Sequence, residues 1–365
     1  MLENSFIKLN NEKSFNVAFF GGSITEGAGA SCYEKSWAGR FTAWLDEKFP
    51  NCRINGIQAS IGGTSSSLGV FRCDKDVLSK DPDLVFIEFA VNDHGTDNDI
   101  VINNNESILR KIHAHNPNAD VIFVYTTTQG IADDIKEGVA FESKNSTITV
   151  AKHYSVMDID IGQALIDEVA ANCGAWKDYL GDSVHPTDKG HELYFEAVRK
   201  HVEQAFESCN TPDLRKKCLP DPIITNGSFE NARLVAATEA TYDSRWHIQN
   251  IDPKNKAAND YTKQEKYLKS DTPGAELAFE FVGTRIGIFW AMDNYSGKLD
   301  YSVDGGEIGT ASAWDFYCPK FSRENFIILA DNLEKGPHKL NIKISGDKKE
   351  GSLGHTIRIG YFMVC

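Results

Sequence analysis

The chain has 365 residues, of which 41% are hydrophobic and 25% are charged, and its formal net charge is −14. This length accommodates two domains, and the composition is ordinary for a globular protein. The acidic excess argues against nucleic acid or an anionic membrane as the main partner. No stretch approaches the 18 or so consecutive apolar residues of a membrane-spanning helix, so none is predicted.

The N-terminal stretch MLENSFIKLNNEKSF has neither the basic start nor the apolar run of a secretory signal, so we expect a cytoplasmic protein. The cysteines include no Cys-x-x-Cys pair, which argues against a zinc site, and we predict no metal and no cofactor. In a cytoplasmic protein we expect reduced thiols in packing roles. The cysteines are Cys32, Cys52, Cys73, Cys173, Cys209, Cys218, Cys318 and Cys365.

Residues 1–208 alternate short apolar runs with amphipathic stretches. Apolar strands separated by helices are typical of a parallel sheet covered on both faces, so we predict an α/β sandwich. Ligands then bind at the carboxyl ends of the strands. The apolar runs predict strands at 15–20, 53–57, 84–89, 121–125 and 155–158. The helical patterns predict helices at 37–48, 106–115, 162–171 and 190–206.

The pattern changes after residue 208. The segment NTPDLRKKCLPDP contains three prolines and predicts a linker over 209–222. Beyond it, over 223–365, alternating stretches such as KLNIKIS and turn signals such as Asp-Gly-Gly indicate an antiparallel β-sandwich. The predicted strands are 276–281, 285–290, 298–303, 326–329, 339–344 and 356–363.

Two glycine-rich segments follow the first two predicted strands. Ser23 follows Gly21 and Gly22, and on its own this position suits a helix N-cap better than a nucleophile. It fits neither the G-x-S-x-G elbow nor a P-loop. The second segment contains Gly62 and Gly63, and glycine there allows backbone N–H groups to point into a cleft. On its own, this segment is equally consistent with a tight turn.

Polar residues also follow the third predicted strand and precede the last predicted helix. Asn92 follows the apolar run LVFIEFA, where its amide can donate to an oxyanion or cap a helix. Asp182 lies three residues before His185, so its carboxylate can accept the imidazole Nδ1–H and leave the other nitrogen free as a base. A hydroxyl, glycine N–H groups, an amide and an Asp-x-x-His loop at one sheet edge meet the needs of acyl transfer.

These four segments resemble the blocks of the SGNH hydrolases, also called the GDSL esterase superfamily. Ser23 matches the nucleophile block as GGSIT-G where GDS is commoner. Gly63 in IGGTS matches the oxyanion glycine, and Asn92 in A-V-N-D matches the third block. Asp182 and His185 match the Asp-x-x-His block. The resemblance covers about half of the chain and rests on all four blocks.

The resemblance implies a three-layer α/β/α sandwich with a five-stranded parallel sheet. It also implies that Ser23 is the nucleophile, His185 the general base and Asp182 the group that orients the imidazole. The oxyanion would be held by the N–H groups of Ser23 and Gly63 and by the amide of Asn92, with Gly62 as the alternative glycine.

The segment FVGTRIGIFWAMDNYSGKLDYSVDGG, with its Ser-x-Asp-Gly turn, is followed by LEKGPHKLNIKI. In strand spacing and in this turn, the second half resembles jelly-roll modules of the galactose-binding or carbohydrate-binding type. Such modules hold sugars with aromatic and polar side chains. Trp290, inside a strand-like run, is expected in the core. The candidate sugar-binding residues are Trp246, Asp293, Tyr295, Trp314 and Tyr317, with Asp315 as a further hydroxyl acceptor.

The whole chain looks like the two-domain carbohydrate acetylesterases. We therefore expect an acetylesterase acting on acetylated oligosaccharides derived from β-mannan or xylan, with neither nucleic acid nor membrane as a partner. The alternatives are a lipolytic esterase, thioesterase or lysophospholipase, a non-catalytic carbohydrate-binding protein, and acetyl transfer to a second sugar.

Overall fold

The computed structural model describes residues 1–172, 175–210 and 213–365, and these form two compact units, Met1–Glu230 and Asn231–Cys365. In the N-terminal unit, five parallel strands pair in the order β2-β1-β3-β4-β5 among the described residues. Strands β3 and β4 are buried along their whole length, because helices cover both faces. The predicted α/β fold is confirmed. The strands are β1 Ser14–Gly21, β2 Arg53–Gln58, β3 Leu84–Glu88, β4 Asp120–Tyr125 and β5 Met157–Asp160.

The helices of this unit form two layers. Helix α10 packs against α3 and α8 on one face, and α5 packs against α4 and α7 on the other. The helices are α1 Glu3–Asn11, α2 Ser23–Glu26, α3 Trp37–Lys48, α4 Ser66–Asp76, α5 Asn98–His115, α6 Gln129–Lys136, α7 Glu142–Tyr154, α8 Ile161–Ala171, α9 Trp176–Tyr179 and α10 Asp188–Glu207. Short 3₁₀ turns lie at Tyr33–Lys35 and Leu78–Lys80.

Aromatic side chains fill the core between the sheet and the α3–α10 layer. The rings of Phe19 and Phe86 stack with centroids 5.3 Å apart, and Trp37 meets both rings edge-on. All three side chains are fully buried. This packing holds β1 and β3 rigidly, and the chain segments that carry the candidate site follow these two strands.

The predicted linker is bound to the N-terminal unit. Glu106, buried on α5, accepts the backbone N–H groups of Ile223 and Ile224 at 2.6 and 2.9 Å. Lys217 forms an ion pair with Asp120 at 2.8 Å. These contacts explain why the division between the units falls after Glu230 rather than within 209–222.

The C-terminal unit consists of two antiparallel sheets that enclose an apolar core, as the fold prediction stated. One sheet has the order β13-β12-β15-β10-β7, and the other has the order β14-β11-β16-β9-β8, with β6 pairing to β16. The strands are β6 Arg233–Ala236, β7 Thr241–Tyr242, β8 His247–Asn250, β9 Lys266–Ser270, β10 Glu276–Gly283, β11 Ile286–Met292, β12 Lys298–Val303, β13 Gly309–Ser312, β14 Arg323–Ala330, β15 Gly336–Ile344 and β16 Ile357–Val364.

The structure tests the expectations about the cysteines and about membrane-spanning helices. Cys52, Cys73 and Cys318 are buried free thiols, which agrees with packing roles, whereas Cys32 is a free thiol in an exposed position. Cys173 lies outside the described residues. Within the described part of the chain, every helix is too short or too polar to cross a lipid bilayer.

Candidate active site

Ser23 is the first residue of the one-turn helix α2 and lies just beyond the carboxyl end of β1. The N-cap position is taken by Gly22, whose backbone is extended with φ −93° and ψ −156°. Ser23 is therefore not the cap that its local sequence suggested. Its backbone N–H belongs to the first turn of a helix, where N–H groups have no intrahelical acceptor.

Ser23, His185 and Asp182 form one continuous chain of hydrogen bonds. The Oγ of Ser23 lies 2.9 Å from Nε2 of His185, and Nδ1 of His185 lies 2.7 Å from Oδ2 of Asp182. The second carboxylate oxygen of Asp182 accepts the backbone N–H groups of Val184 and His185. In this arrangement Nδ1–H donates to the carboxylate, so Nε2 is free to accept the hydroxyl proton.

The surroundings of Asp182 keep its carboxylate ionised. Partial burial raises the pKa of Asp182, but hydrogen bonds from the side chain and backbone of His185 outweigh it and place the pKa below its ordinary value. The Asp182 side chain is 61% exposed and that of His185 is 30% exposed. The carboxylate that orients the imidazole is thus in contact with solvent.

The loop that carries His185 is anchored at both of its flanks. Thr187 caps α10 by accepting the Gly190 N–H, which fixes the start of the helix two residues after His185. Asp188 accepts the backbone N–H and the hydroxyl of Ser31, each at 2.8 Å. These contacts bind the His185 loop to the segment that follows α2.

The two glycines after β2 differ in what their N–H groups bind. The Gly62 N–H donates to Oε2 of Glu26 at 2.7 Å. The Gly63 N–H has no protein acceptor among the described residues. Gly63 has φ +71°, a left-handed conformation that favours glycine. Gly63 is therefore the residue of this pair whose N–H is available to a ligand.

Asn92 lies in the turn after β3 and packs against the backbone beside Ser23. A Cβ on Gly22 would lie 2.0 Å from Oδ1 of Asn92, so only glycine leaves room for this side chain. The structure thus brings Asn92 to the residue that precedes Ser23. It places all the residues of the four sequence blocks at one edge of the sheet.

Three buried ionisable residues beneath this edge were assigned no role from the sequence. Asp93 accepts both the N–H and the hydroxyl of Ser66 at 2.9 Å, and burial raises the pKa of Asp93 to about 6. Arg72 on α4 donates to the carbonyl oxygens of Gly21 and Ala59 at the ends of β1 and β2.

The third of these residues, Glu88, occupies the last position of β3. The available sequence signal was a single charge within an apolar run, as in LVFIEFA for Glu88 and GVFRC for Arg72. A charge in such a run must be paired or hydrogen-bonded when buried.

The C-terminal candidates divide between core and surface. Trp246 is 3% exposed and packs in the core, so its ring has no face open to a sugar, and the sequence expectation for Trp246 is wrong. Trp290 is 2% exposed, as predicted. Trp314 is partly buried against the core, with its six-membered ring close to Gly351.

The remaining candidates lie at the surface, but their acidic groups already have partners. Tyr295 and Tyr317 are 57% and 49% exposed. Asp293 accepts from Nη2 of Arg358 at 2.9 Å and from the Tyr295 N–H at 2.8 Å. Asp315 pairs with Arg323.

Tyr317 belongs to a cluster of aromatic rings that the sequence did not reveal. Its ring centroid lies 5.5 Å from that of Phe316 and 5.8 Å from that of Phe321, which in turn meets Tyr261 at 5.7 Å. Phe316 is 69% exposed and Tyr261 is 60% exposed. We call Tyr261, Phe316, Tyr317 and Phe321 the aromatic patch.

Comparisons with known proteins cover both units. Residues 19–193 match the GDSL-like Lipase/Acylhydrolase family. Over 100% of its length, the chain is similar to a solved two-domain esterase (CEX) active on acetylated mannans and co-crystallized with mannopentaose. The TM-score is 0.83 at 20% identity, and 94% of that chain is covered. A second structure of that esterase gives a TM-score of 0.81 at 20% identity, and the alignment covers 100% of this chain and 95% of that one.

The structure of an acetyl xylan esterase, AlAXEase, is also similar. The alignment covers 52% of this chain and 100% of that esterase, with a TM-score of 0.45 at 25% identity. No match was found among curated proteins. The likeness to the two-domain esterase shows that both units share its fold. The match over 19–193 shows that the N-terminal unit of this chain belongs to the GDSL-like lipase/acylhydrolase family, and that the protein is a carboxylic ester hydrolase.

Proposed function

We propose that the protein is a carbohydrate acetylesterase that removes O-acetyl groups from hemicellulose-derived oligosaccharides by way of an acyl-enzyme on Ser23. The observation that carries this proposal is the chain of hydrogen bonds from Asp182 through His185 to Ser23. A serine hydroxyl bound to an imidazole that a carboxylate orients is the arrangement of a nucleophilic acyl-transfer site.

In the first half of the reaction, Nε2 of His185 takes the hydroxyl proton as Oγ of Ser23 bonds to the acetyl carbonyl carbon. The carbonyl oxygen becomes an oxyanion and accepts hydrogen bonds from the N–H groups of Ser23 and Gly63 and from the amide of Asn92. His185 then gives its proton to the sugar oxygen as the C–O bond breaks. The sugar hydroxyl leaves and the acetyl group stays on Ser23.

In the second half, a water molecule replaces the sugar. His185 takes a proton from this water, whose oxygen bonds to the acetyl carbon, and the same donors hold the second oxyanion. The proton returns to Oγ of Ser23 as acetate leaves. Because the side chains of Asp182 and His185 are 61% and 30% exposed, water has access to the base, which favours hydrolysis over acetyl transfer.

Support for a sugar substrate comes from the C-terminal unit and the loops around the site. The aromatic patch exposes several rings side by side, and the C–H faces of sugar rings pack on such surfaces. The segment after β3, DHGTDND, is polar and so differs from the apolar cleft that a lipolytic enzyme needs. The esterase of the same two-domain fold acts on acetylated mannans, so we place β-mannan fragments ahead of xylan fragments.

The test is time-resolved mass spectrometry on acetylated manno- and xylo-oligosaccharides with the wild type and with Ser23→Ala. We expect stepwise loss of acetyl mass with the wild type and none with Ser23→Ala. As a matched control, Ser208→Ala removes an exposed hydroxyl at the end of α10 and should react at the wild-type rate. Cleavage of long acyl chains with no deacetylation of either sugar class would refute the proposed substrate class. Normal acetate release by Ser23→Ala would refute the proposed mechanism.

A further inference from the structure

Glu26 links the helix that starts with Ser23 to the loop that carries Gly63. It is the last residue of α2, three positions after Ser23, so both side chains project from the same side of one helical turn. Its Oε2 accepts the Gly62 N–H at 2.7 Å. No block of the family resemblance includes this contact, and its two residues are 36 positions apart in the chain.

The backbone of Gly62 lies directly against Ser23. A Cβ on Gly62 would lie 3.4 Å from Cβ of Ser23 and 3.0 Å from Oε2 of Glu26. The Cα of Gly62, next to the N–H that Glu26 binds, therefore lies close to the residue that bears the reacting hydroxyl. The next N–H along the chain, that of Gly63, has no protein acceptor in the described ranges.

We propose that Glu26 is a positioning residue of the oxyanion hole: by binding the Gly62 N–H, it holds the loop so that the Gly63 N–H is the one presented to the oxyanion. This inference rests on the Ser23 mechanism proposed above. Oxyanion stabilisation depends on donors that are fixed before the charge develops. A loop of small residues next to a left-handed glycine cannot supply that rigidity alone, because glycine leaves its backbone the most freedom.

Arg72 binds the chain just before each of these two segments, that is, before α2 and before the loop that carries Gly62 and Gly63. Its guanidinium is fully buried and donates to the carbonyl oxygens of Gly21 and Ala59, where β1 and β2 end. Burial lowers the pKa of Arg72, and the carboxylates of Asp76 and Glu26 oppose that shift. Arg72 thus fixes the strand ends, while Glu26 fixes the loop beside Ser23.

Glu26 is the residue of this pair to test, because it is only partly buried and its loss need not unfold the protein. We expect Glu26→Ala to lower kcat for 4-nitrophenyl acetate by about 10- to 100-fold with little change in KM, as for a misplaced catalytic group. Glu26→Gln keeps an acceptor oxygen for the Gly62 N–H and should restore most of kcat. The inhibition constant of phenylboronic acid, which forms a tetrahedral adduct with serine, should rise in parallel with the loss in kcat.

The matched control is Asp160→Ala, which also removes a carboxylate that accepts a backbone N–H, that of Gln163 at 2.8 Å, but on the edge strand β5, three strands away from β1 in the sheet order. It should lower the melting temperature comparably and leave kcat unchanged. If Ser23→Ala is inactive while Glu26→Ala keeps the wild-type kcat and boronate affinity, the inference fails and the mechanism stands. An equal loss of kcat in Glu26→Gln and Glu26→Ala also overturns the inference about Glu26. Activity in Ser23→Ala would overturn the Ser23 mechanism itself.

Discussion

The hydroxyl of Thr25 donates a hydrogen bond to Oε2 of Glu88 at 2.8 Å, and this bond joins the helix that begins at Ser23 to the central strand of the sheet. The other carboxyl oxygen of Glu88 accepts from Thr126 at 2.8 Å, and the residue is 1% exposed. Burial raises the pKa of Glu88 from 4.5 to about 7; the charge of Asp93 adds to the rise, and the two threonine hydrogen bonds oppose it.

We predict that Glu88→Gln removes a pH-dependent part of the stability. Between about pH 4.5 and 7 the folded protein holds a proton on Glu88 that the unfolded chain has released. The free energy of unfolding therefore falls as pH rises through this window, by roughly 3 kcal/mol in total. Glutamine has no such proton, so the stability of Glu88→Gln relative to the wild type should increase from pH 5 to pH 8.

Urea unfolding of both proteins at pH 5, 6, 7 and 8 measures this difference. Asp93 titrates in both proteins, but because its charge interacts with that of Glu88, the comparison measures the titration of Glu88 together with this interaction. A difference in unfolding free energy that stays constant across this range would show that Glu88 does not titrate there.

For Asp182 we predict that asparagine is a worse replacement than alanine. In Asp182→Asn, the amide oxygen keeps the backbone hydrogen bonds to residues 184 and 185, so the NH₂ group faces Nδ1 of His185. That amide donates to Nδ1 and stabilises the wrong imidazole tautomer, which costs on the order of 10⁴ in kcat in serine triads. Alanine leaves a space that water can enter, because the Asp182 side chain is 61% exposed.

Acetate release at saturating 4-nitrophenyl acetate, measured for both variants, gives the comparison. Equal kcat values for the two variants, or a faster asparagine variant, would mean that Asp182 does not select the tautomer. Asp178→Asn, a carboxylate elsewhere in the same region of the chain that contributes nothing to the triad, serves as the matched control.

The site blocks could be predicted because each is local and follows a strong strand or helix signal. Parallel strands end at one edge, so polar groups placed after β1, β2 and β3 had to come together there. The contact between Glu26 and Gly62 could not be predicted, since it depends on how two loops approach each other. Likewise, α4 and α7 escaped prediction because their buried residues do not form an apolar stripe at helical spacing: those of α4 run consecutively from Leu68 to Cys73, and those of α7 include polar residues such as Ser146.

Local composition does not report tertiary partners. The proline-rich segment 209–222 is predicted as a linker, and in the structure the buried carboxylate of Glu106 binds the backbone just after it. Trp246 lies in a polar stretch, TYDSRWHIQN, but its ring is inserted into the sandwich core. The edge strand β5 starts at Met157 rather than 155 because Ser155 adopts φ +52° at the end of α7.

We predict that Tyr317→Ala weakens oligosaccharide binding without affecting the chemistry. Its ring is 49% exposed within the aromatic patch, and loss of one aromatic contact of this kind is worth about 0.5–1.5 kcal/mol, or roughly 2- to 12-fold in affinity. Calorimetric titration of the full chain with mannopentaose measures the affinity, and 4-nitrophenyl acetate hydrolysis should stay at the wild-type rate. Val282→Ala, which truncates another exposed side chain of the same unit, is the control. Unchanged affinity in Tyr317→Ala would show that the aromatic patch does not bind the oligosaccharide.

Gly22→Ala should inactivate the enzyme while leaving the fold intact. The φ of −93° at Gly22 suits any residue, so the backbone is not strained by the change. The new Cβ would lie 2.0 Å from Oδ1 of Asn92, and the Asn92 side chain must therefore move away from Ser23. Loss of one oxyanion donor costs on the order of 10²–10³ in kcat, so we expect a decrease of that size with a melting temperature close to that of the wild type.

The change at Gly22 is best compared with Asn92→Ala and with Gly130→Ala. At Gly130 on α6 an added Cβ meets only Oγ1 of Thr128, at 3.9 Å, so this variant should keep the wild-type kcat. If Gly22→Ala acts through Asn92, then adding it to Asn92→Ala should cost little more, because the donor is already gone. Full additivity of the two losses in kcat would instead show that Gly22 serves the reaction independently of the Asn92 amide.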